Sequence, residues 1–90
     1  MKKDQNAKVQ VYLIQGCPFC TATVQLLGEL GIGFETIDLS SRADRRDVVS
    51  AILPGHYSVP LVLIDDEPIG GNSELQALHA SGQLLDKVFA

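Results

Sequence analysis

The sequence predicts a small α/β domain in which a four-stranded mixed sheet carries helices on both faces, in the order β-α-β-α-β-β-α. The first observation is that the hydrophobic pattern switches along the chain between alternation and helical spacing. The second is that every position of Val59–Ile64 is apolar, as in a strand that is buried on both sides of a sheet. Because 90 residues suffice for one core, we expect a single domain over residues 1–90.

The first half of the chain predicts a strand, a helix and a second strand. Residues 1–7 are mostly polar, and we expect them to be flexible. Val9–Ile14 alternates as a strand does. Apolar residues then recur at helical spacing from Pro18 to about Leu30, and glycines end that helix. Gly33–Leu39 predicts the second strand.

The next segment predicts a helix followed by two strands. Asp44–Leu53 begins with a charged turn, continues with an apolar stripe and stops before Pro54. The apolar run Val59–Ile64 is the third strand, and Glu67–Ile69 returns as the fourth. Pro68 confines that fourth strand to a sheet edge, since proline cannot donate to a ladder.

The C-terminal segment predicts one more helix. It follows Gly70-Gly71, with Asn72 or Ser73 as the expected N-cap. Gly82 ends it, and Leu84–Phe89 is expected to form a last turn packed on the sheet.

Charge and hydropathy exclude some classes of function. The net charge is −4, from 11 acidic and 7 basic residues, whereas nucleic-acid binding needs a basic face. The longest apolar run falls well short of the roughly 18 residues that a membrane span requires. Met1-Lys2-Lys3 leads into polar residues instead of an apolar signal core. We therefore expect a cytoplasmic protein that binds neither nucleic acid nor membranes.

The only two cysteines, Cys17 and Cys20, lie directly after the first strand. A structural disulfide between them would close too short a loop to restrain the unfolded chain. A zinc site would need His56 and His79, whose separation does not match zinc-ligand spacing. Two inert buried thiols are a further alternative. A strand followed by Cys-x-x-Cys and a helix is typical of a redox pair, which is the favoured interpretation.

The position of each sulfur predicts its role. Cys17 lies just before the helix, where unpaired N–H groups and about half a positive charge stabilise a thiolate. Pro18 fits the first helical position without losing a hydrogen bond, and Phe19 is an apolar residue beside the site. Cys20, one turn further on, shares the apolar stripe and should be partly buried. Cys17 is thus expected to attack a disulfide and Cys20 to resolve the intermediate.

Three motifs in order give the chain, from about Val9 to Leu85, a resemblance to the glutaredoxins, small thiol-disulfide oxidoreductases of thioredoxin fold. Cys17-Pro18-Phe19-Cys20 is similar to the family's Cys-Pro-Tyr-Cys. Ser58-Val59-Pro60 is similar to Thr-Val-Pro. The segment from Gly70 to Leu75 is similar to Gly-Gly-x-Asp-Asp-Leu.

The resemblance implies a glutathione-binding site. Pro60 should follow a cis peptide bond, with the Val59 backbone offering hydrogen bonds to the thiol substrate. Gly71 would allow close approach, and the amides of Asn72 and Ser73 would hold the γ-glutamyl carboxylate. The implied reductant is glutathione, without a metal, and the implied substrates are protein disulfides or glutathionylated proteins. We expect a monomer.

Departures from the family pattern keep alternatives open. Ile14 stands where the family commonly carries lysine, and Asp47 stands near its glutamine or arginine. One alternative is therefore a glutaredoxin-like redoxin reduced by thioredoxin reductase. Another is a non-catalytic iron–sulfur carrier with Cys17 and glutathione as ligands. His56 and Tyr57 are either ordinary loop residues, or they replace part of the polar contact that the family's lysine and its glutamine or arginine would make with the ligand.

Overall fold

The computed structural model describes residues 5–89 of the chain. Four strands and four helices make up the domain, in an order that extends the predicted one by a short helix at the C-terminal end. Their bounds are β1 Val9–Leu13, α1 Pro18–Glu29, β2 Glu35–Asp38, α2 Arg45–Ile52, β3 Leu61–Ile64, β4 Glu67–Gly70, α3 Asn72–Ala80 and α4 Gln83–Val88.

The four strands form one mixed sheet in the order β2-β1-β3-β4. β1 pairs in parallel with β2 and antiparallel with β3, and β3 pairs antiparallel with β4. The two central strands are therefore β1 and β3, which are the strands with the strongest apolar patterns. β4 lies at an edge, as Pro68 predicted. The predicted fold class, a four-stranded mixed α/β sheet, is confirmed.

Each face of the sheet packs on its own hydrophobic core. On one face Val11 and Val62 join apolar residues of α1, α3 and α4. On the opposite face Leu61 and Leu63 pack with residues of α2, among them Val49. Because successive side chains of a strand point to opposite faces, the uninterrupted apolar run of β3 supplies both cores. This confirms helices on both faces of the sheet.

The observed strands are shorter than the sequence predicts. Ile14 and Val59 flank β1 and β3 but lie outside the paired residues, and β2 covers only the middle of the predicted 33–39 segment. The expected last turn is a six-residue helix, α4, in which Leu84 and Val88 are fully buried. Within residues 5–89, no helix is long and apolar enough to cross a bilayer.

The N-terminal segment is held on the domain from Gln5 onward. The Gln5 side chain donates to the Gly33 carbonyl at 2.7 Å and accepts from its N–H at 2.6 Å. The backbone N–H groups of Asn6 and Ala7 both donate to the carbonyl of Val88, and Ala7 is buried. Residues 5–7 therefore pack on the domain, which their polar composition did not indicate. The rest of the predicted flexible segment, residues 1–4, lies outside the described residues.

Candidate active site

Cys17 occupies the N-cap of α1, with Pro18 at the first helical position as predicted. Its backbone is extended, and its Sγ accepts the N–H of Cys20 at 3.2 Å. The sulfur therefore takes the place that a serine or aspartate oxygen fills at other helix starts. An N–H donor and the positive end of the helix dipole both favour negative charge on this sulfur. Cys17 is thus placed as a nucleophilic thiolate would need to be.

The loop that enters the helix is fixed by polar contacts to the end of β2. The N–H of Gln15 donates to Oγ of Ser40 at 2.8 Å, and the side chain of Gln15 donates to Asp38 at 3.2 Å. Ser40 also donates twice to Asp38, through its hydroxyl and its N–H. These bonds, those from Ser40 foremost, lower the pKa of Asp38. Gln15, two residues before Cys17, is thereby anchored to the residues that end β2.

Cys20 lies one turn into α1 and is only 3% exposed. Burial raises the pKa of this thiol to about 12, and its interaction with the Cys17 side chain adds to the effect. Cys20 therefore keeps its proton at neutral pH, which makes it a poor first nucleophile in the folded protein. The sequence predicts a partly buried Cys20, and in the structure its burial is nearly complete.

The segment from Val59 to Pro60 lies against the first cysteine. The Val59–Pro60 peptide bond is cis, as the resemblance implies. Sγ of Cys17 lies 3.9 Å from the carbonyl oxygen of Val59, and Pro60 is buried. Nε2 of His56 lies 3.3 Å from the carbonyl oxygen of Pro60, a distance that suits a hydrogen bond donated by the imidazole. His56 thus contacts the backbone of this segment from the loop before it.

One cavity, here called the polar cleft, joins this segment to the start of α3. Its volume is about 180 Å³. It is lined by Phe19, His56, Ser58, Val59, Pro60, Gly71, Asn72, Ser73 and Glu74. The structure therefore brings together the five residues that the resemblance assigned to glutathione, and it adds the exposed ring of Phe19 beside them. Their binding role is taken up below as a proposal.

The start of α3 differs by one residue from the prediction. Gly71 is the N-cap, in place of the expected Asn72 or Ser73. The reason is that the side chain of Glu74 reaches back and accepts the N–H of Gly71 at 2.9 Å, as in a capping box. Asn72 and Ser73 are consequently the first two helical residues, whose N–H groups have no intrahelical acceptor.

A second cavity, here called the apolar cavity, shares Ser58 and Val59 with the polar cleft. Its volume is about 420 Å³, and Cys17 lies in its wall. Carbon-rich side chains supply most of the lining, namely Ile14, Val49, Tyr57 and Val59. Arg45 and Arg46 of α2 complete it, and the guanidinium carbon of Arg46 lies 5.8 Å from the centre of the Tyr57 ring. Cys17 thus lies in the wall of the apolar cavity, and Ser58 and Val59 line both cavities.

Sequence reasoning missed one contact that shapes the polar cleft. The hydroxyl of Thr23 donates to Oδ1 of Asn72 at 3.1 Å, and Thr23 is fully buried. A hydrogen-bonding side chain in the apolar stripe of α1 was the available signal, because a buried hydroxyl needs a partner. The partner, 49 residues away, could not be read from spacing alone.

Residues 5–89 contain no group of three or more His, Cys, Asp or Glu side chains placed to hold an ion. Cys17 and Cys20 are both free thiols.

The fold, together with a Cys-x-x-Cys pair at the start of its first helix, is typical of the thiol-disulfide oxidoreductases of the thioredoxin-fold class. A family model for glutaredoxin matches residues 9–69. The chain belongs to the glutaredoxin family, which confirms the resemblance of its motifs.

Individual relatives and structures agree with this assignment. The chain is 34% identical over 91 residues to glutaredoxin-1 of Sus scrofa, covering 96% of this chain and 86% of the relative. It is 33% identical over 79 residues to a probable glutaredoxin of Synechocystis, covering 88% and 90%. Glutaredoxin 1 of Francisella tularensis, crystallised with cacodylate, aligns with a TM-score of 0.73 at 32% identity, covering 84% of this chain and 95% of that one. A buckwheat glutaredoxin in complex with glutathione aligns with a TM-score of 0.80 at 28% identity, covering 89% and 74%.

Proposed function

We propose that this chain is a glutathione-dependent thiol-disulfide oxidoreductase that reduces protein disulfides and glutathionylated thiols through Cys17 and Cys20. The observation that carries the proposal is the environment of Cys17. Its sulfur caps α1, accepts the N–H of Cys20 and lies beside the carbonyl of Val59, in the wall of the apolar cavity. A thiolate at this position is stabilised and can be reached by a disulfide.

In the proposed reaction the Cys17 thiolate attacks one sulfur of the substrate disulfide. A bond forms between Cys17 and that sulfur, and the other sulfur leaves as a thiolate. Cys20 then attacks the Cys17 sulfur, its proton passing to the departing thiol, and the Cys17–Cys20 disulfide forms. Two molecules of glutathione reduce that disulfide and become glutathione disulfide. When the mixed disulfide is with glutathione, a second glutathione can release Cys17 directly.

The polar cleft is the proposed binding site for glutathione. The amides of Asn72 and Ser73, at the start of the nine-residue helix α3, suit a carboxylate. Val59 and Pro60 would contact the cysteinyl part, and the absence of a side chain at Gly71 leaves room for the ligand backbone. The second carboxylate oxygen of Glu74 is available to the ligand ammonium group, since Oε1 accepts the N–H of Gly71. The glutathione complex of the buckwheat relative supports a site of this kind.

We further propose that the protein acts as a monomer in a reducing compartment such as the cytoplasm, where glutathione keeps thiols reduced. Its partners would be glutathione and proteins that carry disulfides or glutathionylated cysteines. Phe19, two-thirds exposed beside Cys17, is available to contact such a protein.

The test compares two recycling systems. NADPH consumption is followed with a small disulfide substrate, with glutathione and glutathione reductase in one reaction and thioredoxin reductase in the other. We expect turnover in the first reaction, and Cys17→Ser should abolish it. Turnover with thioredoxin reductase alone would contradict the proposal and favour the alternative suggested by Ile14, which stands in the wall of the apolar cavity.

A further inference from the structure

The turn that follows α2 places His56 in the lining of the polar cleft. The N–H of His56 donates to the carbonyl of Leu53 at 3.0 Å, across Pro54 and Gly55. Gly55 has a φ of +90°, as the third residue of a type II turn requires, and proline favours the position before it. The sequence from Leu53 to His56 therefore fixes the point at which the imidazole leaves the backbone.

The half-buried imidazole of His56 contacts both parts of the chain that form the polar cleft. Its Nε2 lies 3.3 Å from the carbonyl oxygen of Pro60. A Cβ placed on Gly71, the N-cap of α3, would lie 3.4 Å from Cε1 of His56 and 3.3 Å from the same Pro60 oxygen. The ring thus packs against the backbone of Gly71, where no side chain intervenes. His56 therefore joins the segment before β3 to the start of α3.

The contact between His56 and Pro60 is a hydrogen bond only when Nε2 carries a proton, because a carbonyl oxygen can only accept. Phenylalanine in place of His56 would keep a ring of similar size but would have no donor. Glutamine would keep the donor, since its amide nitrogen stands at the same point along the side chain as Nε2 does. These two replacements separate the hydrogen bond from the shape of the ring.

We propose that His56 is a positioning residue for glutathione, whose hydrogen bond to Pro60 sets the spacing between the Val59–Pro60 segment and the start of α3. This inference rests on the proposed function, in which the cysteinyl part of glutathione meets that segment and its γ-glutamyl carboxylate meets the helix start. Because these two parts of the ligand are joined covalently, both contacts form fully only at the correct spacing. A disulfide without a γ-glutamyl group does not depend on it.

The test uses Cys20→Ser as the parent protein, which leaves Cys17 as its single thiol, and two disulfides. With glutathione disulfide, a bond forms between Cys17 and one glutathione sulfur, and the other glutathione leaves as a thiolate. With bis(2-hydroxyethyl) disulfide, the same exchange adds a hydroxyethylthio group. Intact-protein mass spectrometry gives both rate constants at subsaturating disulfide, and each is divided by that of N-acetylcysteine. The ratio of the two, here called the glutathione preference, measures what the γ-glutamyl and glycyl groups contribute.

The variants are made in the Cys20→Ser parent. His56→Phe should lower the glutathione preference about fivefold, the effect of one lost hydrogen bond, while the rate with the hydroxyethyl disulfide stays the same. His56→Leu, a second variant without a donor, should behave alike. His56→Gln should restore most of the preference. His79→Phe makes the same chemical change on α3, outside the polar cleft, and should leave the preference as it is in the parent.

Three results would overturn the inference: an unchanged preference in His56→Phe and His56→Leu, an equal loss in His56→Gln, or an equal loss in His79→Phe. Each of these leaves the proposed function standing, because the parent still prefers glutathione disulfide. Failure of the proposed function gives a different result, a preference near one in the parent itself. That result would contradict glutathione binding in the polar cleft, and with it the role of His56.

Discussion

The Thr23 hydroxyl and the Asn72 side-chain oxygen lie 3.1 Å apart and join the middle of α1 to the first turn of α3. Thr23 is fully buried, whereas Asn72 lines the polar cleft. Since Oδ1 of Asn72 accepts from Thr23, its amide nitrogen remains to donate elsewhere. The helix that carries both cysteines is thereby connected to the helix start that is proposed to hold glutathione.

Removal of the Thr23 hydroxyl should weaken glutathione binding while thiol-disulfide exchange at Cys17 continues. Thr23→Val keeps the shape of the side chain and loses the hydrogen bond, a change worth about 1 kcal/mol. We expect the KM for glutathione to rise severalfold while kcat changes little, because Thr23 acts through the position of Asn72. Thr36→Val, on the exposed edge strand β2, is the matched control. Equal KM values in the two variants would contradict the positioning role.

Gly70 should tolerate a side chain less well than Gly31. Both have positive φ, at +127° and +70°, so alanine strains the backbone at either position by about 1 kcal/mol or more. At Gly70 the new Cβ would also lie 2.6 Å from Oε1 and 2.8 Å from Cγ of Glu74, whereas at Gly31 it meets no atom within 4 Å. Glu74 would have to move and lose its hydrogen bond to Gly71.

Urea unfolding measures this difference. We expect Gly70→Ala to lose roughly 1 kcal/mol more than Gly31→Ala, the contribution of one hydrogen bond. Gly70→Ala should also raise the KM for glutathione, which Gly31→Ala should not. The account of the α3 start is wrong if the two variants are equally stable.

The two thiols should differ strongly in reactivity at neutral pH. Cys17 caps the helix, whereas Cys20 is buried and its pKa is raised to about 12. Iodoacetamide should therefore modify Cys17 of the reduced protein at pH 7 and leave Cys20 unmodified, as peptide mapping can establish. In urea, where burial is lost, both should react at similar rates. Preferential modification of Cys20 in the folded protein would reverse the assigned roles.

The same raised pKa predicts a loss of stability at alkaline pH. An unfolded cysteine ionises near 9.0, and Cys20 in the folded protein near 12. Between these values the folded state binds more protons than the unfolded state, so stability is complete below pH 9 and falls as the pH rises. By pH 10 the loss should reach about 1 kcal/mol.

Denaturation of the reduced protein and of Cys20→Ala at pH 8 and pH 10 isolates this effect, since other titrations are common to both. The difference in unfolding free energy between the unsubstituted protein and Cys20→Ala should be smaller at pH 10 than at pH 8 by about 1 kcal/mol. A difference that is independent of pH would show that Cys20 ionises alike in both states.

The sequence was sufficient to predict the order of strands and helices along the chain and the placement of the two sulfurs. The apolar run of β3 predicted a central strand, because a strand that is apolar at every position must be buried on both faces of the sheet. Pro68 predicted an edge position for β4, because proline cannot donate to a second neighbouring strand. Likewise, a proline after Cys17 fixed the start of α1.

Other features depended on partners far away in the chain. Gly71 became the N-cap of α3 because Glu74 accepts its N–H, while the Asn72 side chain bonds to Thr23. The apolar cavity arises where Ile14, Val49 and Tyr57 meet from a loop, a helix and a second loop that are far apart in the chain. No local propensity encodes these contacts, since they follow from the packing of α1, α2 and α3 on the sheet.

The measurement that tests the central claim most directly is the formation of a mixed disulfide with glutathione. Reduced Cys20→Ser and Cys17→Ser are each exposed to glutathione disulfide at pH 7, and the mass of the intact protein is followed with time. Cys20→Ser should rapidly gain one glutathionyl group on Cys17 and lose it again when excess glutathione is added. Cys17→Ser should remain largely unmodified, because Cys20 is buried and protonated. Equal rates in the two variants, or modification of Cys17→Ser alone, would contradict Cys17 as the nucleophile.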